Sequence, residues 1–529
     1  MTDPSAANPP YNVLPQFNYA QLCEALSNSK CSPDQIRTNE RVVYLDGYLQ
    51  AIQATSLVVE HEYVDGDYLD DFASYYVKCF SHYEARCKRL HFFRKRVTED
   101  ELRNMIRGTL DEASRKAIVG SYLGFVVARP LPRAVLGRTV LATYPESKPN
   151  GRRLYPCVFR CSANLFGEPL SVWSLPYQEQ DSVLAKCATV ALWSSFQKTA
   201  ILFGTHAPRP TSITASANRS LVRRRPFPSG GLIVEQMCSA ILGVGLEPEV
   251  IPYKKDVPLV SLLYGYLKAG LPAILGVTIG SQGKHAIAVA GFSLQNSPIP
   301  GREETKGKSV IPMTGLRIDE FYVHDDQIGP FARIKVERGD TEYPIVFRGS
   351  WKDSNGDPLT LIPSVVIVPV YNKIRLSFTD IYAWARRFHR AFLNVNFFRV
   401  RKLEWDIHLT STNDYKTTIS EDDVGTDSLE ALRSRQHPRF IWRVRLQVDG
   451  KPALELLADA TDISHSFPIY GLLWRDKPLM ERSVIGAIKD AGLRDLLTRT
   501  LTEQFLEFLE RGADHVVFLR PRSRHRDVY

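Results

Sequence analysis

The sequence has no long apolar run. Charged residues interrupt every candidate before it reaches the roughly 18–20 apolar residues that a membrane helix needs. The segment Met1 to Pro10 is polar and proline-rich, with no apolar core stretch, so no secretory leader is expected. Cysteine is sparse and unpatterned. The eight present are Cys23, Cys31, Cys79, Cys87, Cys157, Cys161, Cys187 and Cys238, and their spacing suggests no disulfide framework. Reduced thiols and a cytoplasmic location are therefore expected. Internal repeats and heptads are missing. Charge of one sign is only mildly in excess, at +9 over 529 residues, with basic clusters at Arg223–Arg225, Arg386–Arg387 and Arg520–Arg526. Such clusters suit a solvated surface. Without a groove-reading or aromatic face beside them, neither nucleic acid nor membrane is an expected partner.

Two apparent motifs carry no chemistry. Gly301 to Ser309 (Gly-Arg-Glu-Glu-Thr-Lys-Gly-Lys-Ser) looks like a phosphate-binding loop, but its glycines are one residue too far apart and no apolar strand leads into it. Cys157 and Cys161 have a metal-like gap, but no second ligand pair lies nearby. No metal and no cofactor are expected.

What is present is an ordinary globular composition, 44% hydrophobic and 24% charged, and enough chain for two to four domains of roughly 100–200 residues. The patterning suggests three regions. Residues 1–165 read as helices over 41–120 followed by a small β-meander. In Tyr68–Phe93 the apolar residues Leu69, Phe72, Tyr76, Val77 and Phe80 recur at helical intervals. Residues 166–345 alternate one apolar helix ending near Phe203 with a polar loop over 205–230, helices over 231–243 and 257–269, and strands at Pro272–Thr278, Ala286–Ser293 and Arg317–Val323. Residues 346–529 read as a C-terminal α/β domain with no catalytic constellation, ending in a helical pattern from about Arg482 to Arg511.

The middle region holds three elements that carry chemistry together. The first is Gln180-Asp-Ser-Val-Leu-Ala-Lys-Cys187, with the cysteine near the start of an apolar helix. Backbone amides at a helix start and a nearby imidazolium both favour a thiolate. The Gln180 amide, or that of Gln178, is a donor for a developing oxyanion. The second is His285, which opens an apolar strand after a Gly-Ser-Gln-Gly turn and has a pKa suited to proton transfer. The third is Asp325, at the end of the strand Phe321-Tyr-Val-His-Asp and just before Asp326 and a Gly-Pro turn. It can hold the far nitrogen of His285. Strand alternation puts Val323 and Asp325 on one face, and His324 and Asp326 on the other.

This succession resembles the papain-like cysteine peptidases, above all the branch with the bacteriocin-leader (double-glycine) peptidases. The matching residues are Gln180, Cys187, Gly270-Leu-Pro272, His285, Gly291-Phe292 and Asp325, within residues 166–340. The departures are a glutamine one residue further from the cysteine, Ala188 in place of a glycine, and Asp326 in place of a proline. The resemblance implies an α+β fold with a papain-like core, in which a catalytic helix packs on an antiparallel sheet. It also implies a thiol hydrolase acting on a peptide or isopeptide bond through Cys187, His285 and Asp325. A protein or peptide substrate is then the expected partner, with a regulatory protein acting through the flanking regions. An acyltransferase or transglutaminase-like enzyme would use the same residues, and a non-catalytic scaffold would keep only the fold.

Overall fold

A computed structural model describes residues 10–181, 187–219, 231–254, 257–280, 283–297, 310–339, 345–353, 355–420, 426–462 and 468–485, with a few further residues up to 518. The fold is α+β, and the chain divides into two compact units. One is Met1–Tyr253, Gly270–Leu294 and Asp319–Val370; the other is Lys254–Ala269, Gln295–Ile318 and Tyr371–Tyr529. The expected regions 1–165 and 166–345 thus share a unit, because short strands near residue 150 join the sheet that carries His285. Among the described residues, no helix is long and apolar enough to cross a membrane.

The first unit opens with an antiparallel sheet in chain order: β1 (Tyr11–Leu14), β2 (Ser56–Tyr63), β3 (Cys87–Phe93), β4 (Tyr122–Ala128) and β5 (Leu136–Leu141). The strands β2 and β3 correct the helical reading of 41–120. Only Gly66–Ser74 and a short turn at Tyr76–Lys78 are helical within Tyr68–Phe93. The run Cys87–Phe93 is buried at nearly every position as a central strand, and it packs Phe93 against Val58, Leu102 and Phe125.

Then come β6 (Ser147–Lys148), β7 (Gly151–Leu154), the hairpin β8 (Phe159–Leu165) and β9 (Glu168–Ser174), β10 (Leu246–Pro252), β11 (Ala273–Ile279), β12 (Gly283–Gln295), β13 (Ile318–Asp325), β14 (Gly329–Arg338), β15 (Ile345–Lys352) and β16 (Pro358–Tyr371). Strands β11 to β16 pair successively, and β11 also pairs with β16, so six strands close into a barrel. Closure removes the unpaired edges an open sheet would leave. The helix Cys187–Phe203 lies on this barrel. Its Ala188, Ala191, Leu192 and Phe196 pack with Ile274 of β11, Ala286 and Ala288 of β12 and Ile367 of β16. A helix buried on most sides has no need of a polar face. The stretch 205–230 is not all loop: Pro210–Ala217 is a helix that starts on proline and buries Ile213 and Ala217. Residues 220–230 lie outside the described set.

The second unit has its own antiparallel sheet: β17 (Leu403–Ser411), β18 (Phe440–Val448), β19 (Lys451–Asp459), β20 (Ile469–Trp474) and β21 (Val516–Phe518). Asp449-Gly450 turns β18 into β19. Both residues have positive φ, as a two-residue hairpin with right-handed strand twist requires. Helices Leu259–Leu267 and Phe378–Leu393 accompany the sheet, and the Phe378 N–H donates to the Tyr266 hydroxyl. Most of the helical pattern expected over 482–511 lies outside the described residues.

Candidate active site

Cys187 is the first described residue of the helix Cys187–Phe203 and is half-buried. Residues 182–186, which precede Cys187, lie outside the described set. All eight cysteines are free thiols.

His285 is on β12, opposite Val277 of β11, and is buried. Its Nε2 is 3.0 Å from Asp325 Oδ1, at the end of the neighbouring β13. The Asp325 carboxylate has two further donors: the Gln327 N–H at 3.0 Å to Oδ1 and the Trp351 indole N–H at 2.8 Å to Oδ2. The Trp351 ring also stands edge-on to His285, with centroids 5.0 Å apart. With Nε2 engaged by Asp325, Nδ1 is the ring nitrogen left over, and Cys187 lies close enough to His285 to influence its titration.

The electrostatics follow from these contacts. Burial alone would lower the His285 pKa. The charge and hydrogen bond of Asp325, the hydrogen bond with Cys187 and the charge of Asp326 outweigh burial and raise it well above the usual histidine value. Burial would raise the Asp325 carboxyl, but His285, the Gln327 N–H and Trp351 hold it below its usual value.

Asp326 differs from the expectation of strand alternation. Asp326 lies in the turn past the end of β13, where strand alternation no longer sets the direction of a side chain, and both acids reach the ring. Asp326 Oδ1 is 3.6 Å from His285 Nε2, and neither of its carboxyl oxygens has a hydrogen-bond partner among the described residues. Burial pushes its pKa up to about 7. His324, the neighbour on the other side, is structural. It accepts the Phe331 N–H at Nδ1 (3.1 Å) and donates from Nε2 to the Leu175 carbonyl (2.9 Å), and burial lowers it to about 4.

The segment leading to Cys187 runs along β5. Tyr177 and Thr139 exchange backbone hydrogen bonds of 2.9 and 2.7 Å, and the Glu179 N–H donates to the Leu136 carbonyl at 3.0 Å. Gln180 is half-buried, and its side chain makes no hydrogen bond among the described residues. Gln178 is buried, and its Nε2 has no acceptor among the described residues. A buried amide without a partner is costly unless a ligand or reaction state supplies one.

His285, Asp325 and Asp326 also offer three ligand atoms within 4.8 Å of one another. Both Asp325 oxygens already accept N–H donors, which fits a carboxylate orienting an imidazole better than one binding a cation. Trp351 and Asp326 were the parts sequence reasoning missed. The first is 26 residues from Asp325 with no local signal, and the second lies in a turn, where strand alternation gives no direction. Compared with family models, curated proteins and solved structures, the chain matches none of them.

Proposed function

We propose that the chain is a thiol hydrolase of papain-like type, in which the helix Cys187–Phe203 and the six-stranded barrel form the catalytic core. Cys187 attacks a peptide or isopeptide carbonyl as a thiolate. His285, held as an imidazolium beside it, gives its proton to the leaving amine and then takes one from the water that hydrolyses the thioester. Asp325 fixes the ring through Nε2, and Trp351 and the Gln327 N–H fix Asp325. The unpartnered Gln178 amide and the N–H groups at the start of the helix are the oxyanion donors. This gives Gln178 the role first expected of Gln180. A cytoplasmic setting agrees with eight free thiols.

The observation that carries this reading is one buried imidazole that holds a carboxylate on Nε2 at 3.0 Å and feels the Cys187 side chain beside it. A fluorogenic peptide library assayed with the native chain and with Cys187→Ala tests it. Hydrolysis by the native chain alone supports the reading; equal or absent signal from both contradicts it.

A further inference from the structure

The turn that carries Asp325 is held by the N-terminal region. The helix Glu40–Ala51 is capped by Asn39, whose side chain accepts the Arg41 N–H at 3.0 Å. From its first turn Arg41 reaches back to the site. Its Nε donates to the Asp326 carbonyl at 3.0 Å and lies 3.2 Å from Glu179 Oε1. Three residues on, and so on the same helical face, the Tyr44 hydroxyl donates to the Pro330 carbonyl at 3.0 Å. The Tyr44 ring fits against Gly329 so closely that a Cβ there would stand 2.2 Å from it. One helix thus grips both ends of the turn that follows Asp325.

Glu179 is as firmly tied on its own side. Its Oε2 accepts the Leu136 N–H at 3.0 Å, and its carbonyl accepts from Arg129 Nη2 at 3.0 Å. Glu179 belongs to the segment that holds Gln178 and leads to Cys187. Arg41 therefore joins two chain segments that supply different members of the site. A planar guanidinium holds such a geometry with less freedom than an ammonium. Glu179 and Asp326 are both buried, so water has little room to replace the bridge.

We propose that Arg41 is a positioning residue for the hydrolase reaction, keeping the Asp325 turn in register with the segment that presents Cys187. The proposal rests on the thiol-hydrolase reading. Arg41 touches neither substrate nor the reacting atoms, and it acts through the Asp326 carbonyl and Glu179. A misplacement of about 1 Å at a catalytic group is enough to cost roughly 100-fold in rate.

The test uses the full chain and the variants Arg41→Gln and Arg41→Lys. The rate of iodoacetamide alkylation at Cys187 is measured across pH 5 to 9, with peptide mapping by mass spectrometry and a thermal melt on each sample. Lysine places a methylene where Nε sits and keeps the charge. The expected result for folded Arg41→Gln is Cys187 alkylation slowed roughly 10-fold below neutral pH, with its pH profile displaced, and Arg41→Lys recovers only part of the loss. Wild-type rates and profile in a folded Arg41→Gln would overturn the proposal. Where Arg41→Gln gives no cooperative melt, Arg41→Lys is judged by the same criterion. If the wild-type chain alkylates at Cys187 no faster than His285→Ala, the hydrolase reading itself fails and takes this inference with it.

Discussion

Among the described residues, two buried histidine–aspartate pairs have the same length, and they behave in opposite ways. In the first unit His285 Nε2 lies 3.0 Å from Asp325; in the second, His408 Nδ1 lies 3.0 Å from Asp406. His285 is raised well above the usual value. His408 is lowered to about 4, because burial is aided by the positive charges of Arg445 and Arg443 and Asp406 only partly offsets them. The difference lies in the next neighbours. His285 has a second carboxyl, Asp326, and a thiol. His408 has two guanidiniums, and its Asp406 is also bonded by the Tyr264 hydroxyl at 2.9 Å. Every cysteine lies in the first unit. A buried histidine–aspartate pair therefore defines no chemistry until the groups around it are counted.

The surrounding acids tell the same story. Glu455, in the second unit, is fully buried and bonded by Arg443 at 2.6 Å and by Arg475. Burial would raise its carboxyl, but Arg443, Arg475 and Arg445 hold it well below the usual range. Glu179 and Asp326, near the proposed site, are both pushed up to about 7 by burial that their cationic neighbours do not fully offset. One unit satisfies its buried charge and gains a fixed structure; the other leaves charge under-compensated where chemistry is proposed.

The largest expected effect separates the two pairs outright. Cys187→Ala and His285→Ala are each expected to lower peptide turnover by about 1,000-fold or more. His408→Ala should leave turnover per folded molecule unchanged. Steady-state assays on melt-checked protein decide, and a His408→Ala loss as large as that of His285→Ala would break the comparison.

Asp325→Asn should follow, with roughly 100-fold or greater loss of turnover. The sign of its pH effect is fixed, since without the Asp325 charge burial prevails and the His285 midpoint moves down. An NMR titration of ring protons would show this shift, and an unmoved midpoint would remove Asp325 from the triad. Asp406→Asn is expected to change stability without changing the pH profile of the reaction.

The sequence carried part of this. Strands β11, β12 and β13 were legible because apolar runs between glycine turns are strong local signals, and the same strands bear His285 and Asp325. Strands β2 and β3 were not. Leu69, Phe72 and Tyr76 do recur at helical intervals, but the recurrence ends before Cys87, where every side chain but that of Lys88 is buried in a sheet. Strand β17 was equally hidden. Glu404, Asp406 and His408 alternate as a solvent-facing edge would, yet all are buried among partners from other strands and helices. Arg41 is 285 residues from the carbonyl it holds. Nothing in a local window announces such a contact.

Glu455→Gln sharpens the comparison from the stability side. Removing one partner of a buried charge cluster costs about 3–5 kcal/mol, and urea unfolding of the full chain should show a loss of that size. Alkylation at Cys187 in the folded variant should stay at the wild-type rate.

The smallest effect is in the pH dependence of stability, where the two units should run in opposite directions. Glu455 has a depressed folded pKa. Its contribution is present above the ordinary carboxyl value of 4.5 and is lost as the pH falls through the folded value. Glu179 and Asp326 have raised folded values. Their contribution is full below the ordinary 4.5 and 3.8 and is lost as the pH rises through about 7. Hydrogen exchange should therefore show β12 and β13 loosening between pH 5 and 8 while β18 and β19 stay protected, with β18 and β19 loosening only in acid. Asp326→Asn should shrink the first change.

The central claim, that Cys187 and His285 form a working thiol–imidazole pair, is tested most directly by limited iodoacetamide labelling at neutral pH, with all eight cysteines ranked by mass spectrometry in the native chain and in His285→Ala. A free thiol with pKa near ~8.5 is only a few per cent thiolate at that pH. Burial pushes the Cys157 and Cys161 thiols up to about 12. The account predicts that Cys187 labels first and that His285→Ala slows it. Labelling of Cys23 or Cys31 ahead of Cys187, or a Cys187 rate indifferent to His285, would contradict it.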